Sequence, residues 1–159
     1  MKRTLAYYAV ALKDDLEEYC KDVLKEHGIT RSQLYYLLHI VQNPGCSPGQ
    51  AAQALHADAG HTTRTIDKLV AAGCVRRHRD KEDRRTVALY STEKGQALYD
   101  RVKSLFCAWD EERMQTLTQE EQEVLMRVLE KVMQTHPGFE PISICLLYTS
   151  PSPRDSTSS

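Results

Sequence analysis

SPGQAAQALHADAGHTTRTIDKLVAAGCVRRHRDKEDRRTVALYSTEKG, residues 47–95, decides the fold. Ser47 can cap a helix that has proline at its first position and Gln50 to complete the cap, which predicts a short helix through about His56. Asp58 caps the next one, running to about Ala72, because Thr62, Ile66, Leu69 and Val70 share a face and Gly73 supplies the stop. Two short helices joined by a three-residue turn have the anatomy of a helix-turn-helix, whose second helix can lie in a DNA major groove. CVRRHRD and TVALYST then read as two strands, with the polar run Lys81-Glu82-Asp83-Arg84-Arg85 at the hairpin tip. That hairpin is a wing.

On the amino-terminal side, Leu5, Tyr8, Leu12, Leu16, Tyr19 and Val23 recur every three or four positions, the stripe of an amphipathic helix that Gly28 ends. Thr30 and Gln33 form a capping box before a second helix carrying Leu34, Leu37, Leu38 and Val41, stopped at Asn43-Pro44-Gly45. Beyond the wing, Thr92 and Glu93 open a long helix to about Leu117 with Leu98, Val102, Leu105, Phe106, Trp109 and Met114 as its stripe. Thr118 and Glu121 cap a last helix to about Thr135, marked by Val124, Leu125, Val128, Leu129 and Val132. The expected order is ααααββαα, mainly α with a small β wing. From His136 the helical period is gone, and 137–159 reads as a tail outside the core, of the kind a cloning scar or out-of-frame read-through leaves.

A chain of 159 residues has room for one domain with an extension, and 41% hydrophobic residues are enough for a core. No apolar run approaches the 18–20 or so residues that cross a bilayer, so no membrane partner is expected and the chain reads as cytoplasmic. Five cysteines without a CxxC pair argue against a disulfide framework or zinc knuckle, and neither metal nor cofactor is expected. The dispersed histidines and the absence of a nucleophile elbow, phosphate loop or HExxH argue against an enzyme.

Charge is the informative quantity. The chain carries 21 Lys+Arg and 22 Asp+Glu, yet between His61 and Tyr90 eight cations face four acids. Cations gathered on the fourth helix and wing suit DNA, because each phosphate neutralised releases condensed counterions. His61, Arg64, Thr65 and Lys68 are expected to point outward together, opposite the apolar stripe. Arg64 suits a bidentate contact to guanine, Thr65 or His61 a base edge or thymine methyl, Lys68 and Thr63 a phosphate. His61 and Thr63 read equally well as local capping residues. The whole candidate DNA-contact set is His61, Thr62, Thr63, Arg64, Thr65, Lys68, Arg77, Arg79, Asp83, Arg84 and Arg85.

Taken as one unit, residues 47–95 strongly resemble the MarR family of winged helix-turn-helix transcriptional regulators. Asp58, Arg64-Thr65-Ile66-Asp67-Lys68-Leu69 and Gly73-Cys74-Val75-Arg76-Arg77 are similar to that family's recognition helix and wing entry. Asp80-Lys81-Glu82-Asp83-Arg84-Arg85 is similar to its D-x-x-D-x-R wing tip, and Leu89-Tyr90-Ser91-Thr92-Glu93-Lys94-Gly95 to its L-x-L-T-x-x-G junction. The resemblance implies that a wing arginine enters the minor groove, Arg85 first and Arg84 second, with Asp83 holding it through a charge-assisted bond. It also implies terminal helices that interleave in a homodimer. Residues 1–28 and 92–136 are then dimerisation helices, and 29–91 the DNA-binding domain. Exposed Leu5, Tyr8, Leu12, Phe106, Trp109, Leu125 and Val132 give that pairing a physical reason, since so small a domain cannot readily bury them alone.

The expected function is a sequence-specific, double-stranded-DNA-binding regulator, a homodimeric repressor on a palindromic operator that responds to a ligand. Tyr7, Tyr8, Tyr19, Tyr35, Tyr36 and His39 are candidates to line a cleft for a small aromatic or phenolic ligand. Two alternatives stand beside this reading. One is a thiol-based redox regulator using Cys20, although Glu17, Glu18 and Asp22 around it should raise its pKa. The other is a winged helix used for protein contact without DNA.

Overall fold

The computed structural model describes residues 3–83 and 85–134. Their order is α1 (Leu5–Glu26), α2 (Arg31–Gln42), α3 (Pro48–Ala54), α4 (Ala59–Ala71), β1 (Val75–Arg79), β2 (Val87–Ser91), α5 (Glu93–Met114) and α6 (Gln119–Met133). This is the expected ααααββαα arrangement, mainly helical with a two-stranded antiparallel sheet.

The helix starts sit where the capping residues predict them. Thr30, Ser47 and Thr118 each head a reciprocal capping box with Gln33, Gln50 and Glu121, and the Asp58 carboxylate accepts the His61 N–H at 2.8 Å. Such caps satisfy donors that a helix start leaves orphaned. The ends differ more. α3 was expected to reach about His56, but Leu55 caps it and His56 turns left-handed at φ 51°, which closes the turn into α4. α5 stops at Met114 rather than about Leu117, because the Leu117 N–H turns back to the Met114 carbonyl before the Thr118 box begins. α6 ends at Met133, and its expected limit at Thr135 lies outside the described residues, as does the tail 137–159.

Two compact units form, one ending at Trp109 and the other beginning at Asp110. In the first, Leu37, Leu38 and Ile40 of α2 are buried with Ile66 and Leu69 of α4, Leu89 of β2, and Leu98 and Val102 of α5. Each such side chain contributes roughly 1.5–3 kcal/mol by leaving water. β1 and β2 pair from Val75↔Ser91 to Arg79↔Val87, and a bridge from Cys46 to Leu89 adds the loop before α3 to the sheet. That bridge is closed by bonds of 2.8 Å, Leu89 N–H to the Cys46 carbonyl and Gly45 N–H to the Leu89 carbonyl. The hairpin is therefore anchored at its base to the same body that holds α4. The Trp109 indole donates to Asp15 at 2.7 Å, tying α5 to α1.

In the second unit the Gln122 amide donates to the Met114 and Leu117 carbonyls at 3.2 and 3.3 Å, closing the turn before α6. Val124, Leu125, Val128, Leu129 and Val132 are all exposed along α6. α1 is similar in its first turns: Leu5, Tyr8 and Leu12 are exposed, Leu5 at 58%. Phe106 and Trp109, expected among the exposed apolar residues, are only partly so.

Candidate nucleic-acid interface

α4 has a 3.6-residue period and a buried stripe wider than the sequence pattern implies. Thr62, Thr65, Ile66 and Leu69 are all buried, leaving Gly60, Thr63, Arg64, Asp67 and Lys68 on the exposed face. Thr65 was expected to point outward, but it is 4% exposed and its hydroxyl donates to the His61 carbonyl at 2.8 Å. Thr62, also counted as a DNA contact, is 1% exposed; its hydroxyl bonds the Asp58 carbonyl at 2.8 Å and pairs with the Tyr36 hydroxyl at 2.9 Å. Both are structural: a buried hydroxyl needs a partner, and the fold supplies one. His61 is drawn to the same side. Its Nε2 lies 3.3 Å from the Ser32 hydroxyl and 3.4 Å from that of Thr65, with its ring 6.1 Å from the Tyr36 ring. Of the expected α4 contacts, Thr63, Arg64 and Lys68 remain on the open face, the Thr63 hydroxyl bonded back to the Ala59 carbonyl at 2.9 Å.

The wing adds exposed cations in Arg76, Arg79, Lys81 and Arg85. Arg76 lies over the Tyr90 ring, 4.6 Å from its centre, which fixes the guanidinium on the hairpin. Arg77 has a different task from the one expected. Its guanidinium meets the Asp67 carboxylate at 2.5 Å, joining β1 to the exposed side of α4. The sequence reading gave Asp67 no role of its own; the one signal for it is an acid on the open face of a helix otherwise bearing cations.

Asp83 organises the tip through the backbone. Its Oδ1 accepts the Arg85 N–H and its Oδ2 the Thr86 hydroxyl, each at 3.0 Å, and the Thr86 N–H returns to the Asp83 carbonyl at 3.1 Å. Among the described residues it bonds no arginine side chain, so Arg85 is held through its backbone N–H rather than by the expected bond to its guanidinium. Asp80 makes the matching turn, accepting the Glu82 N–H at 2.8 Å. Arg84 lies outside the described residues.

The expected ligand residues do not converge. Tyr36 is buried and committed to Thr62, whereas Tyr8 is exposed and stacks edge-on with Tyr7 at 5.3 Å; Tyr19, Tyr35 and His39 are partly exposed. A groove of about 630 Å³ where α1 meets α2 is lined by Asp14, Glu17, Lys21, Leu24, Ile29 and Arg31 among others, with Arg31 bonded to Glu17 across it. His39 lines a separate 380 Å³ cavity with Asn43, Cys46 and Gln50. No tyrosine lines either. Burial lowers the His39 pKa, which favours the neutral ring.

Cys20 is 3% exposed, and burial pushes its thiol up to about 11. The expected direction holds, but desolvation rather than the neighbouring acids is the cause. At pH 7.5 almost none is thiolate, so Cys20 is expected to resist iodoacetamide in the folded protein and react once denatured; rapid native alkylation would contradict the burial. The same shift makes folding lose stability as pH rises from the unfolded thiol's range through about 11, since only the unfolded state then ionises. Among the described residues no three His, Cys, Asp or Glu side chains gather as metal ligands, and no helix is long and apolar enough to cross a membrane.

The comparisons agree with this geometry. The sequence model described as the MarR family matches residues 27–86. The HTH-type transcriptional regulator BilQ of Clostridium symbiosum is 35% identical over 135 residues, 85% of this chain and 94% of that regulator. BilQ of Clostridioides difficile is 29% identical, over 86% of this chain and 93% of its own length. Among solved structures, the reduced form of MarR from E. coli aligns with a TM-score of 0.72 and 26% identity, covering 83% of this chain and 98% of that one. The MarR protein from Peptoclostridium difficile aligns at 0.71 and 26%, covering 85% and 88%. These matches are transcriptional regulators, not enzymes.

Proposed function

The chain belongs to the MarR family of transcriptional regulators, and from that premise we propose that it binds a palindromic double-stranded operator as a homodimer and represses transcription until a small ligand releases it. One observation carries the DNA contact. The open face of α4, with Thr63, Arg64 and Lys68, stands beside a hairpin bearing Arg76, Arg79, Lys81 and Arg85, and the Arg77–Asp67 ion pair bonds the two elements. An α-helix fits the major groove and an adjacent arginine-bearing loop the narrower, more negative minor groove. Arg64 then reads a base edge, Lys68 and Arg79 hold phosphate, and Arg85 enters the minor groove.

The exposed apolar residues of α1 and of α6 support the homodimer, with α1 and the helices after Thr92 as the dimerisation lobe and 29–91 as the DNA-binding domain. A two-fold pair sets its recognition helices about one DNA turn apart, hence a palindrome. For the ligand, exposed Tyr8 and partly open Tyr19, Tyr35 and His39 offer separate aromatic surfaces, and an aromatic acid is favoured over peroxide because burial keeps the Cys20 thiol protonated.

Selection from a random duplex pool at fixed salt tests this reading. An inverted repeat should be enriched, and at six to ten phosphate contacts its affinity should fall by about 10³ to 10⁵ between 50 and 200 mM salt. A pool with no enriched repeat and a flat salt dependence would instead favour a winged helix that contacts protein.

A further inference from the structure

His61 stands where α4 meets the start of α2, and its two ring nitrogens have different surroundings. Nε2 lies 3.3 Å from the Ser32 hydroxyl and 3.4 Å from that of Thr65. The Thr65 hydroxyl has one proton and donates it to the His61 carbonyl at 2.8 Å, so toward the ring it acts only as an acceptor. Nε2 therefore carries the hydrogen, which Ser32 can also accept, and in the neutral ring the lone pair is on Nδ1. Among the described residues Nδ1 has no partner, and the buried side-chain atoms left without one belong to Glu17 and His39, so Nδ1 opens to solvent. The ring is half-buried, with Arg64 and Lys68 following one and two turns on along the exposed side of α4.

Few charged or titratable groups surround the ring. The Asp58 carboxyl is held below its usual range, chiefly by accepting the His61 N–H and also by the charges of His61 and Arg64. It stays an anion throughout the range in which imidazoles exchange protons and favours the imidazolium, which Arg64 opposes. From α2 the ring is faced by Ser32 and by the Tyr36 ring 6.1 Å away, whose hydroxyl is bonded to Thr62. α3 carries no titratable side chain. Protonation therefore leaves the Nε2 contacts in place and turns Nδ1 from an acceptor into a charged donor.

We infer that His61 is a DNA phosphate contact in its protonated form: Nδ1–H of the imidazolium donates to a backbone phosphate beside the groove that α4 enters, each half-site taking up one proton from solvent on binding. This rests on the DNA reading above and adds to it a contact residue and a proton linkage. The bound state holds the proton more tightly than the free one, so affinity rises as pH falls. A neutral ring reading a base through the Nδ1 lone pair requires the opposite sign, because protonation then blocks the contact.

The test follows binding to the selected operator by fluorescence anisotropy between pH 7.5 and 5.5 at fixed salt. Affinity should rise by about fivefold or more for each half-site, as a charge-assisted bond implies. The salt slope should be steeper at pH 5.5 than at 7.5 by up to about 0.9 for each half-site, the mark of one more phosphate neutralised. H61Q, which keeps a donor for Thr65 but cannot titrate, should lose both changes, and H78Q in the wing should keep both. Histidine nitrogen NMR of the free protein needs neither DNA nor a variant, and His61 should show the Nε2–H tautomer when neutral. An Nδ1–H tautomer, an affinity that is flat or falls on acidification, or a pH dependence that survives in H61Q overturns the proposal. An enriched operator bound with no pH dependence sinks this contact alone; if no duplex is enriched and binding ignores salt, the DNA reading itself fails and this proposal with it.

Discussion

Replacing Gly95 with alanine is expected to cost the fold about 3 kcal/mol, the upper end of what overpacking usually costs. A Cβ at that position would lie 2.0 Å from the Cys74 carbonyl oxygen, 3.0 Å from its carbon and 3.2 Å from Leu37 Cδ1. The first two are backbone atoms that have little freedom to move. The Cys74 carbonyl accepts the Thr92 N–H at 3.0 Å, the Thr92 hydroxyl donates to the Gly73 carbonyl at 2.5 Å and accepts the Gly95 N–H at 3.1 Å, and Lys94 donates to the Ala72 carbonyl at 2.7 Å. The end of α4, the start of β1 and the start of α5 are thus bonded together at one point. Helix propensity acts the other way, favouring alanine by about 1 kcal/mol, but a contact this short outweighs it. The melting temperature should fall by about 6–12 °C, as such a loss implies for a chain of this size. An unchanged or higher value would mean that α5 does not seat so closely on Cys74.

The second large effect runs against the charge count. Asp83→Ala removes a negative charge from the wing tip of a chain whose net charge is −1, which on electrostatics alone should tighten DNA binding. A loss of about tenfold is expected instead. Asp83 accepts the Arg85 N–H and the Thr86 hydroxyl, and two such bonds at about 1 kcal/mol each set the shape of the turn that presents Arg85. Without them the tip samples other conformations, and that ordering must be supplied on binding. Asp83→Asn, which keeps an acceptor oxygen for the Arg85 N–H, should retain most of the affinity. Tighter binding by the alanine variant, measured by electrophoretic shift on the selected operator at fixed salt, would show that repulsion from phosphate dominates and that Asp83 does not order the tip.

Much of the architecture was readable from local chemistry. Thr30 with Gln33, Ser47 with Gln50 and Thr118 with Glu121 bond their own helix starts, and a cap depends on atoms three residues apart. The same locality made the hairpin legible, because Asp80 and Asp83 turn the chain through their own neighbours. Helix ends were read less well, since at Leu55 and Met114 the stop comes from how the following turn closes rather than from a breaker residue.

The site divides along the same line. The sequence by itself determined that cations gather on one helix and one hairpin, and that Arg64 and Lys68 sit where a 3.6-residue period turns them outward. Only the tertiary structure decided that Thr62 pairs with Tyr36, that Thr65 is buried, that Arg77 meets Asp67, that Gly95 must lie against the Cys74 carbonyl, and that burial keeps the Cys20 thiol protonated. A helical period gives the direction of a side chain to within one position and says nothing of how wide a neighbouring element will cover it. Burial, desolvation and pairing between distant residues are properties of two surfaces brought together, and one segment of chain carries only one of them.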